Sequence, residues 1–166
     1  TWSDPIFRAI LLRSLIVSGL VTVVTVALAF PVAYFLSFKV APNAKSRWLF
    51  LITIPFWTSY LIRVFLWKVI LGYNGVINSG LKALGLIGEG RLFEDPLSML
   101  NTVGAITVTL AHAYAPFAIL PIYVALEKID RSLLEAGRDL GESRFMTFLR
   151  VTLPLAWRGI LAGILL

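Results

Sequence analysis

Cysteine is absent from this 166-residue sequence, histidine occurs once, and nine carboxylates stand against fifteen basic side chains. Without cysteine there is no disulfide framework and no thiolate metal site. The single His112 and the lack of paired carboxylates within any apolar segment leave no catalytic set and no metal site. No G-x-x-x-x-G-K-[ST] loop is present to cradle phosphates, so the chain is not itself an ATPase. Only 14% of residues are charged and 58% are apolar, where a soluble domain has about 25% charged residues. That deficit points to a membrane protein. The net charge of +6 is spread over connectors and forms no single patch. Membrane topology explains it more simply than nucleic acid, and none is expected as a partner.

Long uncharged runs define the spans. Ser14 to Phe38 gives 25 uncharged residues, enough for one helix across the bilayer with some tilt. Pro31 should kink it, and Ser14, Ser18, Gly19 and Thr22 offer a small, polar face to a neighbour. Trp2 and Phe7 suit a membrane interface. A second span is expected over 48–71, interrupted early by Pro55. Pro96 to Leu126 holds 31 residues without Asp, Glu, Lys or Arg. The third span, 97–126, must therefore tilt, kink at Pro116 and Pro121, or emerge. Its Thr107, Ala111 and Ala115 form a small face at i+4 spacing. A fourth run covers 153–166. From Pro154 it has thirteen residues, about 20 Å of helix, which is short of a hydrocarbon core of about 30 Å. Gly159 and Gly163 form a G-x-x-x-G that lets helices approach closely. No signal-peptide pattern is visible at the start. Between the second and third runs, Asn74-Gly75 marks a turn and Val76 to Gly90 a short helix lying on the membrane.

Basic residues orient these spans. The 39–47 connector has three basic and no acidic residues, the 127–152 connector has five basic residues, and 72–96 has two basic and three acidic. Cytoplasmic connectors carry the Lys/Arg excess, so 39–47 and 127–152 are expected inside and 72–96 outside.

The 127–152 connector has its own pattern. As one helix, Leu126, Ile129, Leu133, Gly137 and Leu140 would share a stripe. Glu127, Arg131, Glu135, Arg138 and Glu142 would lie on another face with alternating sign. Gly141 is placed to stop the helix, because it adopts φ > 0 without a Cβ clash. Ser143 is placed to cap a second short helix with Phe145, Phe148 and Leu149 on its apolar side. Read by charge alone, this is a solvated amphipathic connector.

The spacing adds a sharper reading. Glu135-Ala136-Gly137, three residues, Gly141, nine residues, Val151, one residue, Leu153-Pro154 resembles the EAA signature of permease subunits of ATP-binding-cassette (ABC) importers. Gly137 stands for the third Ala of that signature and Val151 for its Ile. A second stretch, Pro55-Phe-Trp-Thr-Ser-Tyr-Leu-Ile-Arg63, followed by Trp67 and by Asn74-Gly-Val-Ile-Asn78, resembles spermidine/putrescine permeases and their close relatives. The resemblance runs from about Ser14 to the end of the chain. It implies an all-α, polytopic transmembrane bundle of the type I ABC importer permease kind, in the bacterial plasma membrane. It also implies that 127–152 docks on a separate ATPase through Glu135, Ala136, Gly137, Gly141, Val151, Leu153 and Pro154. ATP and Mg²⁺ would bind that partner and not this chain. Further implied partners are a second homologous permease, an extracytoplasmic solute-binding protein and membrane lipid. Because the family has about six spans, the sequence is expected to be a fragment of about four. It would lack one helix before Thr1, and part of the fourth helix and one more after Leu166.

Candidate solute contacts are fewer. Trp57, Tyr60, Trp67 and Tyr114 are aromatic faces that would attract a polycation, although interface belts also use Trp and Tyr. Arg63 and Lys68 are charged residues late in an apolar run. They either snorkel to the outer interface or line the outer mouth. His112, between two alanines, reads as a hydrogen-bonding contact to a neighbouring helix. A polyamine fits the resemblance, while Arg63 and Lys68 fit an anion better. The alternatives are therefore an importer of an opine, amine or organic anion, an autonomous channel, or a membrane enzyme.

Overall fold

The computed structural model describes residues 5–88, 90 and 92–165. Trp2, proposed for the interface, and Leu166 lie outside them. The described chain runs through helices α1 (Pro5–Phe38), α2 (Pro42–Trp57), α3 (Tyr60–Ile70), α4 (Val76–Ala83), α5 (Val103–Glu127), α6 (Arg131–Asp139), α7 (Arg144–Thr147) and α8 (Leu153–Leu165), with a π-helical turn at Phe148–Thr152 before α8. Three helices are long and apolar enough to cross a membrane: Pro5–Phe38, Val103–Glu127 and the continuous Arg144–Leu165. The pair α2 and α3 makes a fourth if it counts as one broken span.

Several boundaries differ from the sequence expectation, each for a local reason. The first helix starts nine residues before Ser14, at Pro5, where a proline at the first helical position sacrifices no hydrogen bond. It continues through Pro31. The 48–71 run is two helices, separated at Thr58 and Ser59. Pro55 removes one i→i−4 bond from the last turn of α2, and only Phe56 and Trp57 extend the helix beyond it. The helix expected from 97 begins at Val103, where the Thr102 hydroxyl accepts the Ala105 amide at 3.1 Å as an N-cap. The run from Pro154 belongs, through Leu165, to a 22-residue helix that starts at Arg144. The π turn ends at Thr152, two residues before Pro154. A proline there cannot donate to the ladder and its ring crowds the carbonyl four residues back, and a widened turn relieves that conflict.

The chain forms two compact units: residues up to Val21 with Phe56–Ala113, and Thr22–Pro55 with Tyr114–Leu166. The second unit contains the larger core. Ala29, Ala33 and Leu36 of α1, Ala118, Ile119, Ile122 and Leu126 of α5, and Ala156 and Ile160 of α8 pack together with Ile129. Alanines let the helices approach, as van der Waals contact is the main cohesion available in lipid. The expected G-x-x-x-G is used here. A Cβ on Gly159 would lie 2.5 Å from the Ala125 Cβ and 2.7 Å from the Pro121 carbonyl oxygen, while one on Gly163 would meet Ala118 at 3.4 Å. Gly159 is thus a contact that only glycine permits, and Gly163 is an ordinary one. Phe148 adds edge-on ring contacts to Phe30 (5.7 Å) and Tyr34 (5.9 Å).

In the first unit, α4 and the loop after it are fixed by one residue. Asn78 is fully buried. Its Oδ1 accepts the Leu97 amide at 2.9 Å, and its Nδ2 donates to the carbonyls of Leu97 at 2.9 Å and Gly72 at 3.2 Å. Gly75 precedes α4, and any Cβ there would lie 2.4 Å from the carbonyl oxygens of Val69 and Ile70. The expected Asn74-Gly75 turn is therefore a packing requirement.

Candidate functional site

The connector 127–152 is a sequence of local hydrogen-bond signals. Asp130 caps α6 by accepting the Ser132 amide at 3.0 Å. These bonds hold the exposed Asp130 carboxyl below its ordinary aspartate value. The far end of α6 is a Schellman turn. Gly141, at φ +84°, donates to the Arg138 carbonyl at 2.9 Å, and Glu142 donates to the Gly137 carbonyl at 3.1 Å. Ser143 then caps α7 by accepting the Met146 amide at 3.2 Å. The expected roles of Gly141 and Ser143 are present as stated. The glycine turn and the serine cap thus set the join between α6 and the helix that starts at Arg144.

The expected stripe is not one stripe. α5 ends at Glu127 and α6 begins at Arg131, so Leu126 and Ile129 are buried while Leu133, 47% exposed, and Leu140, 85% exposed, are not. The Asp130 cap restarts the helix and rotates the second set away from the core. The alternating charges also fail to pair along the helix. Glu127 pairs with Lys45 and Glu142 pairs with Arg150 at 2.9 Å. The side chains of Glu135 and Arg138 have no ion-pair or hydrogen-bond partner among the described residues.

The other signature residues divide into two sets. Glu135, Ala136 and Gly141 are exposed on α6 and its turn. Gly137 faces Thr147 of α7, whose Cγ2 would lie 3.2 Å from an added Cβ. Val151 lies in the π turn, Leu153 packs on the core, and Pro154 is exposed. Leu140, Phe145 and Leu149 present apolar surface on the same connector. Together they form a mixed apolar and charged face with unpaired ions, the composition of an interface and not of a core.

A polar tie missed by the sequence reading anchors this connector. Lys45, at the start of α2, is buried, and its ammonium lies 2.5 and 2.8 Å from the two oxygens of Glu127. The Ser37 hydroxyl donates to Glu127 at 3.1 Å, and Arg131 donates to the Ser37 carbonyl at 3.3 Å. The tie brings the 39–47 and 127–152 connectors to the same end of the second unit. The only sequence signal for it was a Lys and a Glu at the ends of apolar runs.

The first unit contains a separate cavity of about 490 Å³. Tyr60 and Trp67 line it with Lys68, Asn101 and Thr109. Arg63 sits on the same helix but does not line the cavity, since its guanidinium donates to the Ala113 carbonyl at 3.2 Å. Trp67 donates its indole N–H to His112 Nδ1 at 3.2 Å, which gives His112 the helix-contact role expected of it. Trp57 is 83% exposed and does not line the cavity, nor does Tyr114. Lys68, expected either to snorkel or to line the outer mouth, lines the cavity, and Asn101 and Thr109 are polar lining residues that the sequence reading did not name as solute contacts. Asn101 sits at positive φ, 63°, a conformation that asparagine adopts more readily than most residues.

Comparison with known proteins extends this geometry. No family model matches the chain. It is 40% identical over 163 residues to the spermidine/putrescine transport system permease protein PotB of Haemophilus influenzae, covering 98% of this chain and 54% of that one. It is 38% identical to the PotB of Escherichia coli over the same share of this chain and 57% of that one. Nearly the whole chain is thus similar to spermidine/putrescine transport system permease proteins. It spans about half the length of the curated relatives it matches. Among solved structures, a bacterial alginate ABC transporter in complex with an alginate pentasaccharide-bound periplasmic protein superposes with a TM-score of 0.68, at 20% identity, over 88% of this chain and 50% of that one. That likeness concerns the fold, which is all-α among the described residues apart from one isolated bridge between Ile87 and Phe93.

Proposed function

We propose that this chain forms the membrane-spanning region of the permease subunit of an ATP-driven importer for a polyamine-like solute. In this reading it works with a separate ATPase, a second permease and an extracytoplasmic solute-binding protein. The observation that carries the proposal is the connector: the EAA spacing is realised as a capped α6, a glycine turn at Gly141 and a capped α7, with Glu135, Leu140 and Phe145 exposed. Such a unit has its shape fixed by its own hydrogen bonds and its outer face left for a partner. ATP and Mg²⁺ bind the ATPase. Its closure moves α6 and α7, and the Lys45–Glu127–Ser37 tie passes that motion to α1, α2 and α5. The bundle then switches between two access states. The connectors 39–47 and 127–152 face the cytoplasm and 72–96 faces out, in keeping with the basic-residue count.

The experiment is co-purification of the ATPase with Gly141→Val, together with substrate-stimulated hydrolysis. A β-branched side chain at φ +84° is strained by its own backbone, even though no neighbour lies within 4 Å of its Cβ. Coupled uptake is expected to be lost and ATPase binding weakened, with the spans still inserted. Full binding and stimulation would sink the coupling role of the turn.

One observation favours a second reading of the solute. Lys68 lines the 490 Å³ cavity and no carboxylate among the described residues does. An organic anion suits that lining better than a polycation. Competition of labelled spermidine uptake by small organic anions and by amines separates the two, since only the true solute class competes.

A further inference from the structure

We propose that the groove between α5, α6 and α8 is a binding site for an anionic phospholipid in the leaflet on the α6 side. The groove has a volume of about 610 Å³. Lys128, Asp130 and Arg158 line it together with the apolar Val124, Leu155 and Ala162. Pro121, which also lines it, lies six positions before the end of α5 at Glu127, so the groove extends about 9 Å along α5. Basic side chains set beside apolar walls match a lipid, with a headgroup and the first part of a chain.

The charges select the sign of the headgroup. Lys128 and Arg158 have no hydrogen-bond or ion-pair partner among the described residues. Arg158 adjoins Gly159, which lies against Pro121, Ile122 and Ala125. The guanidinium therefore starts from the level of the last turns of α5, where an unpaired charge is costly in a bilayer. The carboxylate in the groove, Asp130, is engaged at Oδ1 by the Ser132 amide that starts α6. Two unpaired cations beside one engaged anion leave a net positive rim. Trp157, next to Arg158 and 53% exposed, is the residue type that marks the headgroup level. Basic pockets between transmembrane helices are suited to acidic headgroups, and arginine binds phosphate through two parallel N–H bonds.

The test uses the full-length permease complex in detergent, titrated with phosphatidylglycerol or phosphatidylcholine and read by native mass spectrometry. Wild type is expected to retain phosphatidylglycerol preferentially, and excess inorganic phosphate is expected not to displace it. The double variant Lys128→Gln, Arg158→Gln should lose that preference about tenfold or more. The equally charge-reduced Lys39→Gln, Arg47→Gln should keep it. Val124→Trp, which fills the groove and leaves both cations, should lose the lipid as well, and this variant stands if the double variant does not fold. The proposal is overturned by equal retention of the two lipids in wild type, by unchanged preference in both groove variants, or by displacement with phosphate. It is also overturned if the groove variants release the second permease and not the lipid, because the groove would then be filled by protein.

Discussion

The α6–α7 connector and the α4 loop are both polar excursions between apolar helices, yet they are held in opposite ways. The connector is fixed by short-range bonds: Asp130 to Ser132, Gly141 to Arg138, Ser143 to Met146. Each joins residues two or three apart, and each is exposed. The loop is fixed by the buried Asn78, whose amide mimics a strand partner for Leu97, nineteen residues away. Local bonds define a shape while leaving its outer face uncovered. A buried long-range staple does the reverse: it closes a surface and concentrates the stability in one side chain. A region that docks on a moving partner suits the first device. A loop that must keep its form against solvent and membrane suits the second.

The staple offers the largest expected effect. Asn78→Ala leaves the Leu97 amide without its partner, and takes one of two donors from the Leu97 and Gly72 carbonyls, which keep the Met99 and Gly75 amides. Stranding that part-buried amide and losing the two other bonds costs about 1–3 kcal/mol. The thermal midpoint of the detergent-solubilised protein should fall, and the Leu97 amide should exchange faster with deuterium. Unchanged protection at Leu97 would show that the loop is held elsewhere. No single substitution in the connector should match this loss.

The next effect tests how the two connector helices meet. Gly137 stands where the EAA signature has alanine, and Thr147 lies 3.2 Å from the position of an added Cβ. Gly137→Ala alone should destabilise the α6–α7 pair by about 1 kcal/mol, as a tight overpacking does. Adding Thr147→Ser removes the crowding methyl and keeps the hydroxyl that donates to Ser143 at 3.1 Å. Recovery of helix protection in the double variant would establish the contact, and additive losses would refute it.

These residues also show what was legible in the sequence. Gly141 and Ser143 could be assigned because their partners are within four positions, and cap chemistry is decided at that range. The EAA spacing could be read for the same reason. The Lys45–Glu127 pair spans 82 positions, and Asn78–Leu97 needs a loop to close, so neither leaves a local pattern. The apolar stripe from Leu126 to Leu140 misled, because periodicity does not register that Asp130 is a better N-cap than helix interior. Pro154 was read as the start of a helix, where it produces a π turn within a longer one. Of the proposed solute contacts, Tyr60 and Trp67 reach the cavity and Trp57 and Arg63 do not. Aromatic and charged residue types in one apolar run do not reveal which face of a broken helix each will take.

Capping at the second connector helix ranks next. Ser143→Ala removes the acceptor for the Met146 amide and should cost about 1 kcal/mol. Ser143→Asp should restore it, since a carboxylate caps at least as well and suits the helix dipole. Exchange at the Met146 amide reads both variants. A loss that aspartate fails to repair would mean that Ser143 acts through some contact other than the cap.

The smallest effect is the titration of Asp130. Its carboxyl sits below the ordinary aspartate value of 3.8 because the folded state supplies the Ser132 N–H to the ionised form. The unfolded chain lacks that donor, so the folded group binds its proton less readily. The contribution to stability is therefore complete above the ordinary value and is lost as pH falls through the depressed folded value. The Ser132 amide chemical shift, followed downward from neutral pH, should stay constant to about the ordinary value and move only below it. Asp130→Asn keeps a good cap without a titrating group, so its Ser132 shift should not move in that window and α6 should remain protected. A wild-type transition at or above 3.8 would mean that the bond does not favour the carboxylate in solution. The start of α6 would then depend on the Lys45–Glu127 tie behind it, and the connector would resemble the stapled loop more than the locally capped unit described above.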